Sequence, residues 1–388
     1  MKRIIILIIS IVFMGSIAFT SSAFASSEKK DFESANINDV KYKVEQYINM
    51  SMNKYDHTGT KSVCYDGIIK NEEFYSYAQK TAQLENNRYK AFPELRIEEL
   101  TVNIEYNSIV AYGDSYTVDV VVYETKKYKA FEEPGYVCTK HLITVENIDG
   151  ELYIADDVTN NYIDSALCSQ GKENRLSAVD RIIELDSKEI EKTLSNEENN
   201  LNATREIHDN NDVQRSSTYS LNYNSMYQYA AKYNGASPNK VANRNPAYYD
   251  FDDSGGDCTN YVSQIIKAGG APMDTTGSYQ WYYSNYANRS ASWIVVSHLY
   301  SYLVNNTGIG PQGYWMSNSP EYPATKGDII QKDTDYDGIQ NHTMWIISHQ
   351  TGTVSLTRIA CHSNDRWNEP YNSILGSSRW IKLTGYEQ

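Results

Sequence analysis

The residues with chemistry in them cluster at Gly255-Gly256-Asp257-Cys258-Thr259-Asn260-Tyr261-Val262-Ser263-Gln264, a cysteine at a turn that opens a helix. From Cys258 onward the apolar residues fall at Tyr261, Val262, Ile265 and Ile266, the spacing of one buried helical face, and Gly269-Gly270 with Pro272 ends the run. A thiol in a first helical turn meets the positive end of the dipole and unpaired N–H groups, so thiolate is expected to be favoured over thiol. A lone cysteine is more often a small buried hydrophobe. Here Asp257 and two glycines leave the approach polar and open, which points to a nucleophile.

A thiol nucleophile needs an imidazole that takes its proton and returns it to the leaving group. Asn341-His342-Thr343-Met344-Trp345-Ile346-Ile347 places His342 at the start of an alternating strand. His298 falls inside a helical run without an orienting neighbour, and His349 falls in a turn, so His342 is the expected base. A third polar residue should bind the far ring nitrogen. The next strand ends Ala360-Cys361-His362-Ser363-Asn364-Asp365-Arg366, and an antiparallel neighbour brings that end back beside His342. His362 is the first choice, Asn364 the second, with Asp365 also chemically able.

With the Tyr223 to Tyr233 helix, Ala268-Gly269-Gly270-Ala271-Pro272-Met273 and Lys326-Gly327-Asp328-Ile329-Ile330, these segments resemble the bacterial putative-amidase domain family over residues 219–384. The family is similar to the papain-like group that includes peptidoglycan-cutting cysteine peptidase and amidase domains. The resemblance implies a cysteine-dependent amide hydrolase with Cys258 as nucleophile and His342 as general base. The papain-type glutamine upstream of the cysteine has no counterpart. The Cys258 backbone N–H is then the expected oxyanion donor, with Tyr248 or Tyr249 as side-chain help.

Asp333-Thr334-Asp335-Tyr336-Asp337-Gly338 has the alternating carboxylates and glycine that open a calcium loop. The twelfth position is Met344 rather than a bidentate acid, which excludes a full EF-hand. What is left is a weak, partial calcium site on Asp333, Asp335 and Asp337, or a solvated acidic hairpin. No other metal and no cofactor is expected. Among 34 tyrosines, Tyr279, Trp281, Tyr282, Tyr283, Tyr286, Tyr314 and Trp315 are candidates either for core positions or for a groove that stacks on sugars.

Met1-Lys2-Arg3, the apolar run Ile4 to Phe19 and Ala23-Phe24-Ala25 read as a secretory signal peptide over residues 1–25, so the mature protein is expected outside the cell or in its wall. No other apolar run is long enough to span a membrane. Removing Lys2 and Arg3 leaves 33 basic against 49 acidic residues, a formal charge of −16 that argues against nucleic acid as a partner. Five cysteines make an odd count; Cys64, Cys138 and Cys168 are able to supply one bridge.

Residues 31–165 read as a small α+β accessory domain: helices over 40–52 and 72–84, then strands near 100–106, 116–123, 137–146 and 151–156, a pattern that resembles nuclear-transport-factor-2-like folds. His57 and His141 read as ordinary histidines. A helix at 176–194 and a polar run to 217 read as a linker, and 219–384 as an α+β papain-like domain with helices first and strands second. The expectation is a secreted amide hydrolase acting on peptidoglycan or another peptide. Its rivals are a secreted cysteine protease and a non-catalytic module that binds wall glycan.

Overall fold

The computed structural model describes residues 37–56, 63–161, 175–203, 217–316, 324–350 and 353–388. The signal-peptide reading, His57, Cys168 and most of the expected linker's polar run lie outside those residues. In chain order the elements are α1 (Ile37–Ser51), α2 (Glu72–Ala91), β1 (Ile97–Tyr112), β2 (Ser115–Tyr128), β3 (Gly135–Ile148), β4 (Glu151–Thr159) and α3 (Arg175–Ala203). The C-terminal block follows with α4 (Tyr223–Lys232), α5 (Cys258–Ala268), β5 (Tyr283–Asn285), β6 (Asn288–Arg289), α6 (Ala291–Ile294) and α7 (Val296–Asn305). Its strands are β7 (Gly310–Trp315), β8 (Ile329–Asp333), β9 (His342–Gln350), β10 (Thr353–Cys361), β11 (Asp365–Pro370) and β12 (Ser377–Glu387). Helices with an antiparallel sheet make this α+β, as expected.

Periodicity explains most elements. Val40, Val44, Tyr47 and Ile48 bury one stripe of α1, and Asn71 caps α2 by accepting from the Phe74 N–H. In β2 every second residue from Tyr116 to Lys126 is buried, the signature of a strand with one covered face. Val295 is extended and splits the expected helix over 293–303 into α6 and α7. β7 and β11 are short and lack alternation, so periodicity did not reveal them.

The sheet runs β1-β2-β3-β11-β10-β9-β8-β12-β7, with β4 also on β3. Strand β3 is the splint: its later residues pair with β4 (His141↔Thr159 to Ile148↔Glu151) and its earlier ones with β11 (Cys138↔Asp365, Arg366↔Val137, Trp367↔Tyr136). The two blocks expected as separate domains therefore share one sheet, and Ala35 to Gln388 form a single compact unit. The expected linker helix is also structural. Ala178, Val179 and Ile182 of α3 join the core beneath the sheet, and the buried Asp186 carboxylate pairs with Arg88 of α2.

Where side chains of β2 and β11 reach across β3, Lys126 sits fully buried between Glu124 at 3.3 Å and Glu369 at 3.6 Å. Tyr55 and Tyr128 donate to the same carboxylates at 2.7 and 2.9 Å. Burial opposes the charge on Lys126, but Glu124 and Glu369 outweigh it and raise its pKa; burial likewise opposes the charge on Glu124, which Lys126 and Lys54 hold at about 2. Lys126→Met removes the cation that the two buried carboxylates share, and a loss of about 3–5 kcal/mol is expected. Urea unfolding followed by circular dichroism checks this. It should show one cooperative transition in both proteins, since the sheet is shared, and two separated transitions in the parent would contradict that coupling.

Candidate active site

Helix α5 is fixed from both sides by the residues of its own motif. Tyr261, Val262, Ile265 and Ile266 are fully buried beside Trp281, Trp293 and Trp345. The polar members of the motif are anchors rather than ligands. Asn260 Oδ1 accepts from Trp293 Nε1 at 2.8 Å. Ser263 Oγ accepts from Trp281 Nε1 at 3.1 Å and donates to the Trp293 carbonyl at 2.9 Å. Gln264 Oε1 accepts from Tyr229 at 2.5 Å. Such satisfied buried groups hold a helix in one register.

The turn before Cys258 is held as tightly. Gly255 and Gly256 have φ of 103° and 106°, which a side chain rarely adopts. Asp257 occupies the N-cap position yet does not cap; its backbone N–H donates to Ser363 Oγ at 2.7 Å. One carboxylate oxygen accepts from the Phe251 N–H at 3.1 Å and Asn260 Nδ2 at 2.7 Å, and the other faces His362 Nδ1 at 2.6 Å. His362 Nε2 lies 2.7 Å from the Tyr233 carbonyl, and the ring stacks on Tyr261 with centroids 3.7 Å apart. The ring is thus held between a carboxylate and a carbonyl oxygen.

His362 therefore does not orient His342, contrary to the sequence expectation: its two nitrogens are committed to Asp257 and Tyr233. Asn364 also points elsewhere, its Oδ1 accepting from Thr139 of β3 at 3.0 Å. The cause is the β10–β11 hairpin. Ser363 and Asn364 take positive φ of 60° and 70°, a two-residue reversal that ends the strand alternation on which the expectation rested. Asp365 goes to Arg244, which grips it with two contacts of 2.6 and 2.8 Å and also meets Asp252 at 2.5 Å. Arg244 did not stand out in the sequence as part of the site, and Asp257 did so only as a polar neighbour of the thiol, not as the partner of His362. The available signal was the carboxylate immediately before the cysteine.

Cys258 and His342 border one cleft of about 470 Å³, with Gly255, Gly256, Asp252, Asp253, Thr334, Asp335, Asn341 and Ser363, and with Lys140, Thr159 and Asn160 from the N-terminal block. Thr343 of β9 meets Thr259 of α5 hydroxyl to hydroxyl at 2.9 Å, tying the two elements together beside the thiol. Among the described residues no hydrogen bond joins Cys258 to His342, and none engages the His342 ring. Burial raises the Cys258 thiol above its ordinary value, although the Thr343 N–H, the Thr259 hydroxyl and the Thr259 N–H act the other way. The thiolate expected from the helix terminus is thus not the resting form at neutral pH. Burial lowers His342 to about 3, helped by the positive charges of Arg366 and Lys332. The resting pair is thiol and neutral imidazole.

The other expectations sort cleanly. His298 is exposed, and His349 Nδ1 is 2.8 Å from Thr357; neither borders the cleft. Tyr248 stacks on Trp293, and Tyr249 packs against Phe251 and Tyr286, so neither lines the cleft as an oxyanion donor. His141 is tied to Asp157 at 2.9 Å, an acid that also accepts from Tyr47. Cys64, Cys138, Cys258 and Cys361 are all free thiols. Trp281 and Tyr283 are core, whereas Tyr279, Tyr286 and Trp315 are exposed. Asp333, Asp335 and Asp337 bring one oxygen each within 4.8 Å of one another. Burial and the adjacent Asp335 push Asp333 up to about 6, against donation from the Gly338 and Asp337 N–H groups.

Residues 220–386 match the family described as Putative amidase domain. The match spans the C-terminal block, supports an amidase-domain family for it and suggests amide hydrolysis. The uncharacterized protein YhbB of Bacillus subtilis (strain 168) is 35% identical over 116 residues, 29% of this chain and 35% of that protein. The chain thus spans about a third of the length of that relative. No solved structure matches it.

Two outcomes follow from the electrostatics. His342 takes up a proton at about 3 in the fold and near 6.5 when unfolded, so stability is full above about pH 6.5 and declines between there and about pH 3. His342→Gln should flatten that decline, measured as urea midpoint against pH. The buried, raised thiol of Cys258 should react with iodoacetamide more slowly at pH 7 than the half-buried Cys64 and accelerate only in the alkaline range, as read by peptide mass mapping.

Proposed function

We propose that the protein is a secreted, cysteine-dependent amide hydrolase of papain-like design that cuts amide bonds of cell-wall peptidoglycan. The observation that carries this reading is a helix-borne thiol, Cys258, sharing one cleft with the imidazole of His342. The amidase-family match supports the amide bond as target. The charged, apolar and Ala-x-Ala order of residues 1–25 supports export, and export places the wall within reach.

In the first half-reaction His342, neutral above about pH 3, accepts the Cys258 proton as Sγ attacks the carbonyl carbon. The Asp257 side chain is turned to His362 and Asn260 rather than to the N–H groups that open α5. The Cys258 N–H is the donor in place as negative charge develops on the substrate oxygen. Collapse of that intermediate breaks the C–N bond as the His342 imidazolium protonates the departing amine. A thioester on Cys258 is left. Water, deprotonated by His342, then releases the carboxylic acid and restores the thiol.

The test is mass spectrometry of purified peptidoglycan incubated with the mature protein. New amine and carboxyl termini are expected from the parent, with rates about 10³-fold lower or less for Cys258→Ala and His342→Ala. Undigested wall in every sample, alongside cleavage of unrelated protein, would replace this reading with that of a protease. Wall binding without cleavage by either protein would replace it with that of a binding module.

A further inference from the structure

The cleft is not built by the C-terminal block alone. Lys140, Thr159 and Asn160 reach it from β3 and the end of β4, at the fork where β3 stops pairing with β4 and begins pairing with β11. The fork is locked by two hydrogen bonds, Lys140 N–H to Asn160 Oδ1 at 2.9 Å and Asn160 N–H to the Lys140 carbonyl at 3.2 Å. Continuing the registers Cys138↔Asp365 and Ala360↔Trp345 by two and three residues brings Lys140, Ser363 and His342 level at one end of the sheet. The cleft therefore runs across strand ends, from β3 to the β8–β9 hairpin.

Its two ends differ in charge. At the hairpin end stands Asp335, and the loop before α5 carries Asp253 and Asp252, the latter facing Lys140; among the described residues that line the cleft, Lys140 is the basic side chain opposite them. That lysine is half exposed, and its ion pair among the described residues is with Asp252, at 3.4 Å. Asp252 has stronger partners, Arg244 at 2.5 Å and Ser363 at 2.8 Å, so Lys140 is able to leave it for another anion without stranding the acid. In a chain with far more acid than base, a lysine held this loosely inside the candidate catalytic cleft is positioned for an incoming carboxylate.

We propose that Lys140 is a specificity residue that binds a free carboxylate of a peptide substrate, so that the N-terminal block supplies one subsite of the cleft. This rests on the hydrolase reading for what happens after binding, but not for the binding itself. Three strand spacings separate β3 from β9, about 14 Å, which an extended peptide covers in about four residues. The carboxylate recognised thus lies within about four residues of the amide that meets Cys258. Asp335, at the hairpin end, disfavours a second carboxylate there.

Binding and turnover are read separately. Stem peptides released from purified peptidoglycan are used either with native carboxyl groups or after carbodiimide coupling to methylamine, which neutralises them. Calorimetric titration into full-length Cys258→Ala should give at least tenfold tighter binding of the native form. Lys140→Met in the same background should abolish that preference, and Lys140→Arg should retain most of it; circular dichroism confirms that each variant is folded. Equal binding of both forms, no binding of either, or a preference that survives Lys140→Met overturns the proposal. Whether the Cys258 protein cuts the native peptides is scored apart, so a binding preference without cleavage sinks the hydrolase reading alone.

Discussion

The carboxylate of Asp257 is the contact on which the site depends. It is almost wholly buried and receives the Phe251 N–H, the Asn260 amide and the His362 ring, while its own backbone N–H is held by Ser363. Those partners come from the loop before α5, from α5 itself and from the β10–β11 hairpin. One side chain thereby joins the three pieces whose relative placement sets where the thiol sits. A capping aspartate would have spent its oxygens on the helix N–H groups; this one spends them on tertiary contacts and leaves the helix end for the cleft.

Burial does the rest of the electrostatic work. It raises Cys258 and lowers His342, and both shifts favour uncharged forms. The Thr343 and Thr259 hydrogen bonds act against burial at the thiol and are outweighed. A neutral pair costs little to keep in a closed site, and it makes the proton transfer part of the reaction rather than part of the resting state. The charged groups around it are instead neutralised by one another, Arg244 with Asp252 and Asp365.

The fusion of the blocks changes what the N-terminal residues are for. Because β3 carries β2 on one side and β4 then β11 on the other, the helices and long strands of residues 37–161 brace the sheet that presents His342. The buried Lys126, Glu124 and Glu369 cluster makes that join electrostatic as well as hydrogen-bonded. Helix α3 adds a second tie, since Asp186 receives both Arg88 and the Tyr336 hydroxyl of the β8–β9 hairpin.

Local rules determined a good deal. The amphipathic spacing after Cys258 marked α5, the alternation after His342 marked β9, and the glycine pair marked the turn, because each is set by neighbours within one or two helical turns or strand repeats. That both residues border one cleft also agrees with their types and order. The partners of His362 and Asn364, the pKa values of Cys258 and His342, and the place of Lys140 were decided only by tertiary structure. A hairpin with two positive-φ residues rotates side chains away from the face that alternation predicts. Desolvation depends on what covers a group, and the pairing of β3 with β11 joins residues more than two hundred positions apart. None of these has a local signature, because each is settled by burial and by contacts distant along the chain.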